Sequence, residues 1–178
     1  MKRLATALLT AALIATPALA TLKPGDAAPD FTTQAALGGK EFTYRLADAL
    51  KKGPVIVYFY PKAFTHGCSL EAQAFAAAMP IFTALGASVI GVSHDDIKTL
   101  DDFSTKDCAS KFPVASDLDQ HIMKSYDSVM AKNPAFADRI SYLVAPDGHV
   151  LAAFSDPDYS KHVGTMMAAL TAWKEAQH

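Results

Sequence analysis

Cysteine is scarce in this chain: Cys68 and Cys108 are the only two in 178 residues, and they form no C-x-x-C pair. That excludes the dithiol motif of thioredoxin-type reductases. Neither cysteine belongs to a cluster with metal-ligand spacing and the six His are scattered, so no metal site is expected. Long apolar runs are absent beyond the first twenty residues, and no later segment has the length that a bilayer crossing needs. Positive charge is also short. The formal net charge is −2, and it falls to −4 once residues 1–20, which carry Lys2 and Arg3 and no acidic residue, are set aside. Such a balance argues against nucleic acid or an anionic membrane surface as a partner. Repeats, low-complexity stretches and dividing linkers are missing too, which leaves one domain long enough for a sizeable core.

What is present begins with a leader. Lys2 and Arg3 form a basic start, Leu4 to Ile14 is apolar, and Ala18-Leu19-Ala20 has the small residues of a cleavage site. This pattern predicts a secretory signal peptide cleaved after Ala20, too short in its apolar part for an anchor. The domain then spans 21–178, with the periplasm as its expected location. Two cysteines in an exported protein ordinarily form one disulfide.

Buried strands alternate with helices along the rest. Asp30–Ala35 and Glu41–Tyr44 flank Gly38-Gly39 and predict a hairpin. Val55–Tyr60 and Ala87–Ser93 are β-branched, apolar runs that predict buried strands. Short helices are expected at Ala47–Lys51 and near Gln120–Tyr126, and a longer one from Gly67 that should break near Pro80. Ile97, Leu100 and Phe103 have the spacing of an amphipathic helix running to Cys108. Phe112–Ser116 is extended, 140–144 and 150–154 flank the turn Pro146-Asp147-Gly148, and a last helix covers about 161–176. The fold class is therefore α/β: a mixed central sheet flanked by helices, with an N-terminal hairpin at its edge.

One segment carries chemistry. Pro61 ends the strand because it cannot continue the ladder, and the stretch after Cys68 is rich in helix formers. Cys68 thus falls in the first turn of a helix, where unpaired N–H groups and the positive end of the dipole favour an anion. A thiol held there is biased toward thiolate, its nucleophilic form.

Pro61-x-x-x-Thr65-x-x-Cys68 resembles the active-site motif of the peroxiredoxin family. Gly25-Asp26-x-x-Pro29-Asp30-Phe31 is similar to that family's opening segment. Gly91-Val92-Ser93, Phe112-Pro113 with Ser116-Asp117, and Arg139 before Pro146-Asp147-Gly148 fit in order and spacing. The resemblance covers nearly all of the mature chain and is greatest to the bacterioferritin-comigratory branch. It implies a thioredoxin-like fold, a monomer, and a peroxidase acting on hydrogen peroxide or small organic hydroperoxides. No cofactor is implied. A thiol or disulfide reductant, either thioredoxin-like or a small thiol, would close the cycle.

The resemblance also assigns roles. Cys68 would attack peroxide as thiolate, and the fixed fork of Arg139 would hold both the sulfur and the peroxide oxygens. Thr65 would orient the peroxide through its hydroxyl, Pro61 would shield the thiolate, and backbone N–H groups of Gly67 and Cys68 would complete the donors. In the family a Glu near position 71 often contacts the active-site Arg; the bland alternative for Glu71 is to complement the helix dipole. Thr65 can also cap the helix, and His66, where the family commonly has Pro, is expected to face solvent. Tyr58 and Phe59 read as core, and Phe136 as a residue at the entrance.

Cys108 is the resolving candidate, condensing with the Cys68 sulfenic acid to form a disulfide. Some relatives carry the resolving cysteine on the Cys68 helix, at the position Gln73 holds here. Others carry it on the helix after the second buried strand, about one turn before Cys108. A permanent structural disulfide is the alternative for the same pair. Two other functions stay open at this point: a thioredoxin-like disulfide reductase or cytochrome-maturation factor, and a non-enzymatic module stapled by that disulfide.

Overall fold

The computed structural model describes residues 21–177, so the expected signal peptide lies outside the described residues. Seven strands form one mixed sheet: β1 (Thr32–Leu37), β2 (Lys40–Arg45), β3 (Val55–Phe59), β4 (Ser88–Ser93), β5 (Val114–Ser116), β6 (Ile140–Val144) and β7 (Val150–Ser155). Their order across the sheet is β2-β1-β5-β4-β3-β6-β7. The central β5-β4-β3 strands are parallel, and the two hairpins close the sheet antiparallel on either side. In the first hairpin Gly38 and Gly39 take φ values of 58° and 72°, the left-handed pair that a two-residue turn requires.

Alternation along β3 builds two core layers. Ile56 and Tyr58, with Tyr60 just beyond the strand, face one side and pack under α2 (His66–Ala84), α3 (Ile97–Lys106) and α5 (His162–Glu175). Val55, Val57 and Phe59 face the other and pack with α1 (Leu46–Leu50) and α4 (His121–Ser125). A strand buried on both faces is the arrangement that parallel sheets with covered faces produce.

Two expectations fail locally. Helix α2 does not break at Pro80 but runs through it to Ala84. Phe75 and Phe82 are both buried with ring centroids 6.2 Å apart, and seating Phe82 requires the turn that contains Pro80 to stay helical. Burial of that ring offsets much of the roughly 3 kcal/mol a mid-helix proline costs. Helix α3 ends at Lys106, before Cys108. The Cys108 N–H bonds the Phe103 carbonyl at 3.1 Å, and Ala109 and Ser110 then take positive φ, which terminates the helix in the manner of a left-handed C-cap.

Topology decides where function can sit. Strands β3, β4 and β5 all end at one rim of the sheet, and the register pairs Phe59 with Ile140. Arg139, the residue before β6, is thereby delivered to the same rim as the segment after β3. Ligands of open α/β sheets bind at this carboxyl edge.

Candidate active site

Between β3 and α2 the chain makes a tight loop. Phe64 has φ 62°, uncommon for a large side chain, and reverses direction just before the helix. Asp95, beyond the end of β4, accepts from the Ala63 N–H at 2.7 Å and from the Ser93 hydroxyl at 2.8 Å, which fixes the loop to the sheet. Thr65 stands at the N-cap position, but its hydroxyl donates to the Lys62 carbonyl at 2.9 Å and does not cap α2. The first-turn N–H groups keep no side-chain acceptor from the cap residue, so the tip remains available to an anion.

Cys68 is the third residue of α2 and is 2% exposed. Nη2 of Arg139 lies 3.4 Å from its sulfur, while Nη1 of the same guanidinium donates to Oε2 of Glu71. Arg139 is 8% exposed and Glu71 is fully buried. Gly67 makes room for this: a Cβ there would stand 3.3 Å from Nη2. Glu71 therefore contacts Arg139 and does more than complement the dipole of its own helix. Burial pushes its carboxyl up to about 8, against the pull of the guanidinium.

A histidine not singled out in the sequence completes the cluster. His162, at the start of α5, is buried, with Nδ1 2.8 Å from the Ser141 hydroxyl and 3.8 Å from Oε1 of Glu71. Its Nε2 is 2.8 Å from the Asp156 carbonyl. Sequence reading offers no signal for it, because a lone His at a helix start is ordinarily a solvated side chain. Asp95 was missed for a similar reason: an acid at a strand end has many surface roles.

The other expected residues divide. Pro61, Phe64, Leu118 and Phe136 line a cavity of about 480 Å³ at the same rim, together with His94 and Asp95. His66 is exposed, and Tyr58 and Phe59 are core. Cys108 is fully buried, and the two thiols are unbonded. Burial, with the charge of Asp107 adding, holds the Cys108 thiol far above its ordinary range. Tyr58 and Tyr60 stand near both sulfurs: burial raises their hydroxyls first, and the proximity of Cys108 and Cys68 adds to it. Gln73 donates to Asp107 at 2.8 Å, tying α2 to the segment that holds Cys108. Among the described residues no group of three or more His, Cys, Asp or Glu converges as a metal site.

Such an arrangement can do one thing well. It can keep a sulfur anionic beside a cation and present donors to a second charged oxygen in a water-poor pocket.

Comparisons with known proteins give the family and the fold of the chain. A family model described as the AhpC/TSA family matches residues 24–153. Peroxiredoxin Bcp of Xanthomonas campestris is 34% identical over 123 residues, 66% of this chain and 76% of its own length. Peroxiredoxin Bcp of Escherichia coli is 33% identical over 146 residues, 79% of this chain and 90% of its own. Among solved structures, Peroxidoxin BcpB from Mycobacterium tuberculosis superposes with a TM-score of 0.77 at 26% identity, over 85% of this chain and 97% of that one. Peroxiredoxin Q of Xanthomonas campestris gives a TM-score of 0.69 at 31% identity, over 79% and 90%.

Proposed function

Given that the chain belongs to the AhpC/TSA family of peroxiredoxins, we propose that Cys68 is the sulfur that reduces peroxide and that Cys108 resolves it. The protein is a thiol-dependent peroxidase with a thioredoxin-like fold. In the reading we favour, the Cys68 thiolate attacks the nearer peroxide oxygen and the O–O bond breaks. The attacked oxygen stays on sulfur as a sulfenic acid, and the other departs as hydroxide or alkoxide and takes a proton from solvent. Arg139 follows the charge from sulfur to the leaving oxygen, a differential stabilisation that lowers the barrier. Thr65, with its hydroxyl proton committed to Lys62, keeps lone pairs to accept from the peroxide O–H. The Gly67 and Cys68 N–H groups supply further donors, and Pro61 shields the sulfur.

Cys108 then attacks the Cys68 sulfur, water leaves, and a disulfide forms. An external thiol, thioredoxin-like or small, returns both residues to thiols. The apolar side chains at the rim, Pro61, Phe64, Leu118 and Phe136, suit hydrogen peroxide and small organic hydroperoxides. The leader at 1–20 supports export to the periplasm with cleavage after Ala20, and we take the mature chain to act as a monomer.

The observation that carries this reading is the single guanidinium 3.4 Å from the sulfur at the tip of α2. Its test is peroxide consumption by residues 21–178 with a dithiol reductant. Cys68→Ser should abolish turnover, and Cys108→Ser should accumulate a sulfenic-acid label at Cys68 after peroxide. Peroxide consumption that survives Cys68→Ser, or no label in Cys108→Ser, removes the assignment.

A further inference from the structure

The rim cavity is far larger than hydrogen peroxide needs. It holds about 480 Å³, within the range of small-molecule sites, whereas a molecule of two oxygens takes the room of two waters, about 60 Å³. Its walls come from both segments that meet at the sulfur. Pro61, Ala63 and Phe64 belong to the loop that leads into Thr65 and Cys68, and Phe136 lies three residues ahead of Arg139. Phe64 is 45% exposed, yet its ring is held in place. It meets the buried Phe103 ring edge-on at 5.2 Å, and the Lys106 ammonium lies 5.7 Å from its centroid. Leu118, also exposed, adds another apolar wall. An organic tail brought in on a hydroperoxide would cover these side chains and remove their surface from water.

The polar wall is built from acceptors. Asp95 takes the Ala63 N–H and the Ser93 hydroxyl on Oδ2, at 2.7 and 2.8 Å. Asp96 takes the Thr99 N–H and hydroxyl, both at 2.9 Å. The proton of that hydroxyl is thereby committed, and its oxygen keeps only lone pairs to offer. His94 must donate through Nδ1, because the Asp117 carbonyl at 3.1 Å only accepts, and Nε2 of the neutral ring is then an acceptor. Among the described residues Lys62 is the one cation in the lining, and it is exposed, where a lone flexible ammonium holds a partner weakly. Lys106 is paired with Asp102 at 3.0 Å. With His94 neutral the lining carries a charge of −1, Asp95 and Asp96 against Lys62. Asp119, exposed and next in sequence to Leu118, adds to the negative side.

We propose that this cavity is a tail-binding subsite that selects hydroperoxides by charge: Asp95 and Asp96 turn away those whose organic part bears a carboxylate, while Phe64 and Leu118 receive those whose organic part is uncharged. This inference rests on the peroxidase reading of Cys68 and narrows its substrates. The reacting O–O group is neutral in both classes and goes to Arg139 in both, so the selection acts on the tail alone. A carboxylate tail enters against the net charge and leaves its oxygens among other acceptors. It gives up hydrogen bonds to water and gains none from the wall.

A matched pair of substrates tests this: cumene hydroperoxide and its para-carboxylate, which differ only in the charged group. The second-order rate of Cys68 oxidation in the reduced Cys108→Ser chain at pH 7 is read by rapid quench and mass measurement, with hydrogen peroxide as the reference substrate. In about 0.01 M salt the neutral member should react about threefold to tenfold faster than the carboxylate. In 1 M salt, where the screening length falls to about 3 Å, that gap should close to less than about twofold. Asp96→Asn keeps the cap on α3, since asparagine caps as well as aspartate, and brings the lining charge to zero; at low salt it should at least halve the ratio. Leu118→Ser should lower the cumene hydroperoxide rate relative to hydrogen peroxide by about twofold to fivefold. Equal rates for the pair at low salt, a faster carboxylate, or a gap that ignores salt overturns the proposal, and none of these needs a variant of the cavity to fold. Oxidation of Cys68 by hydrogen peroxide without discrimination between the pair sinks the charge selection alone, whereas no oxidation by any of the three removes the reading of Cys68 itself.

Discussion

A carboxyl group held neutral changes how this protein should respond to pH. The folded-state value of Glu71, about 8, lies above the ordinary carboxylate range because the side chain is buried. The folded chain therefore keeps a proton that the unfolded chain has released. Stability from such a group is present in full at low pH and is lost as pH rises through the folded value. His162 works with the opposite sign: its folded value is depressed, so it contributes only below the ordinary imidazole range near pH 6.5. Between about pH 6.5 and pH 8, in a Cys68→Ser background that removes the opposing titration of the thiol, reduced protein should lose up to about 2 kcal/mol of unfolding free energy. Glu71→Gln added to that background should be flat over the same interval. Urea unfolding in excess reductant at the two ends of the window checks this. An equal decline in both proteins would show that another group is responsible.

Among the elements, α2 and the segment after α3 decide how the second cysteine reaches the first. Gln73 bonds Asp107, the neighbour of Cys108, and Asp107 is itself buried. That hydrogen bond ties the Cys108 segment to α2. Gln73→Ala removes a contact worth about 1 kcal/mol, so the Cys68–Cys108 disulfide should form roughly fivefold faster after a peroxide pulse. Rapid acid quench followed by alkylation and mass measurement gives the rate. An unchanged rate would mean that opening does not involve this clasp. Elements of this kind were legible where one residue dominates. Gly38-Gly39 announced the hairpin, and the apolar run before Pro61 announced β3 and the helix tip after it. Pro80 misled because its effect is local while the seat of Phe82 is a property of the assembled core. The end of α3 misled by two residues because the left-handed Ala109 and Ser110 carry no glycine to mark them. The Glu71–His162 contact was invisible, since it joins distant segments by a route that only the sheet order supplies.

Taken whole, the molecule pairs a rigid sheet with helix ends that must yield. The rim where β3, β4 and β5 finish gathers Pro61, Asp95 and Arg139 through backbone register alone, and strands buried on both faces give that rim a stiff base. Both sulfurs, by contrast, lie in one core layer among Tyr58, Tyr60, Phe103 and Phe112. A disulfide needs Cα atoms within about 7 Å and aligned Cβ vectors. The two cysteines are embedded in separate segments and are 2% or less exposed, and in the resolving role proposed for Cys108 we take them to meet by unwinding of the first turn of α2, the end of α3, or both. Such local opening draws on the least stable parts of a structure and leaves its core closed. In the oxidised protein, backbone amides of 62–72 and 104–111 should therefore exchange with solvent at least tenfold faster than in the reduced protein. Those of 55–59 and 140–144 should keep their protection. Because opening strips aromatic rings from the layer beneath α2, the oxidised form should also melt below the reduced one, the reverse of what a purely stapling disulfide does. Hydrogen-exchange mass spectrometry and thermal melts of the two redox forms measure both effects. Uniformly slow exchange with a raised melting point would make the Cys68–Cys108 bond a staple, and a resolving role for Cys108 would have to be given up.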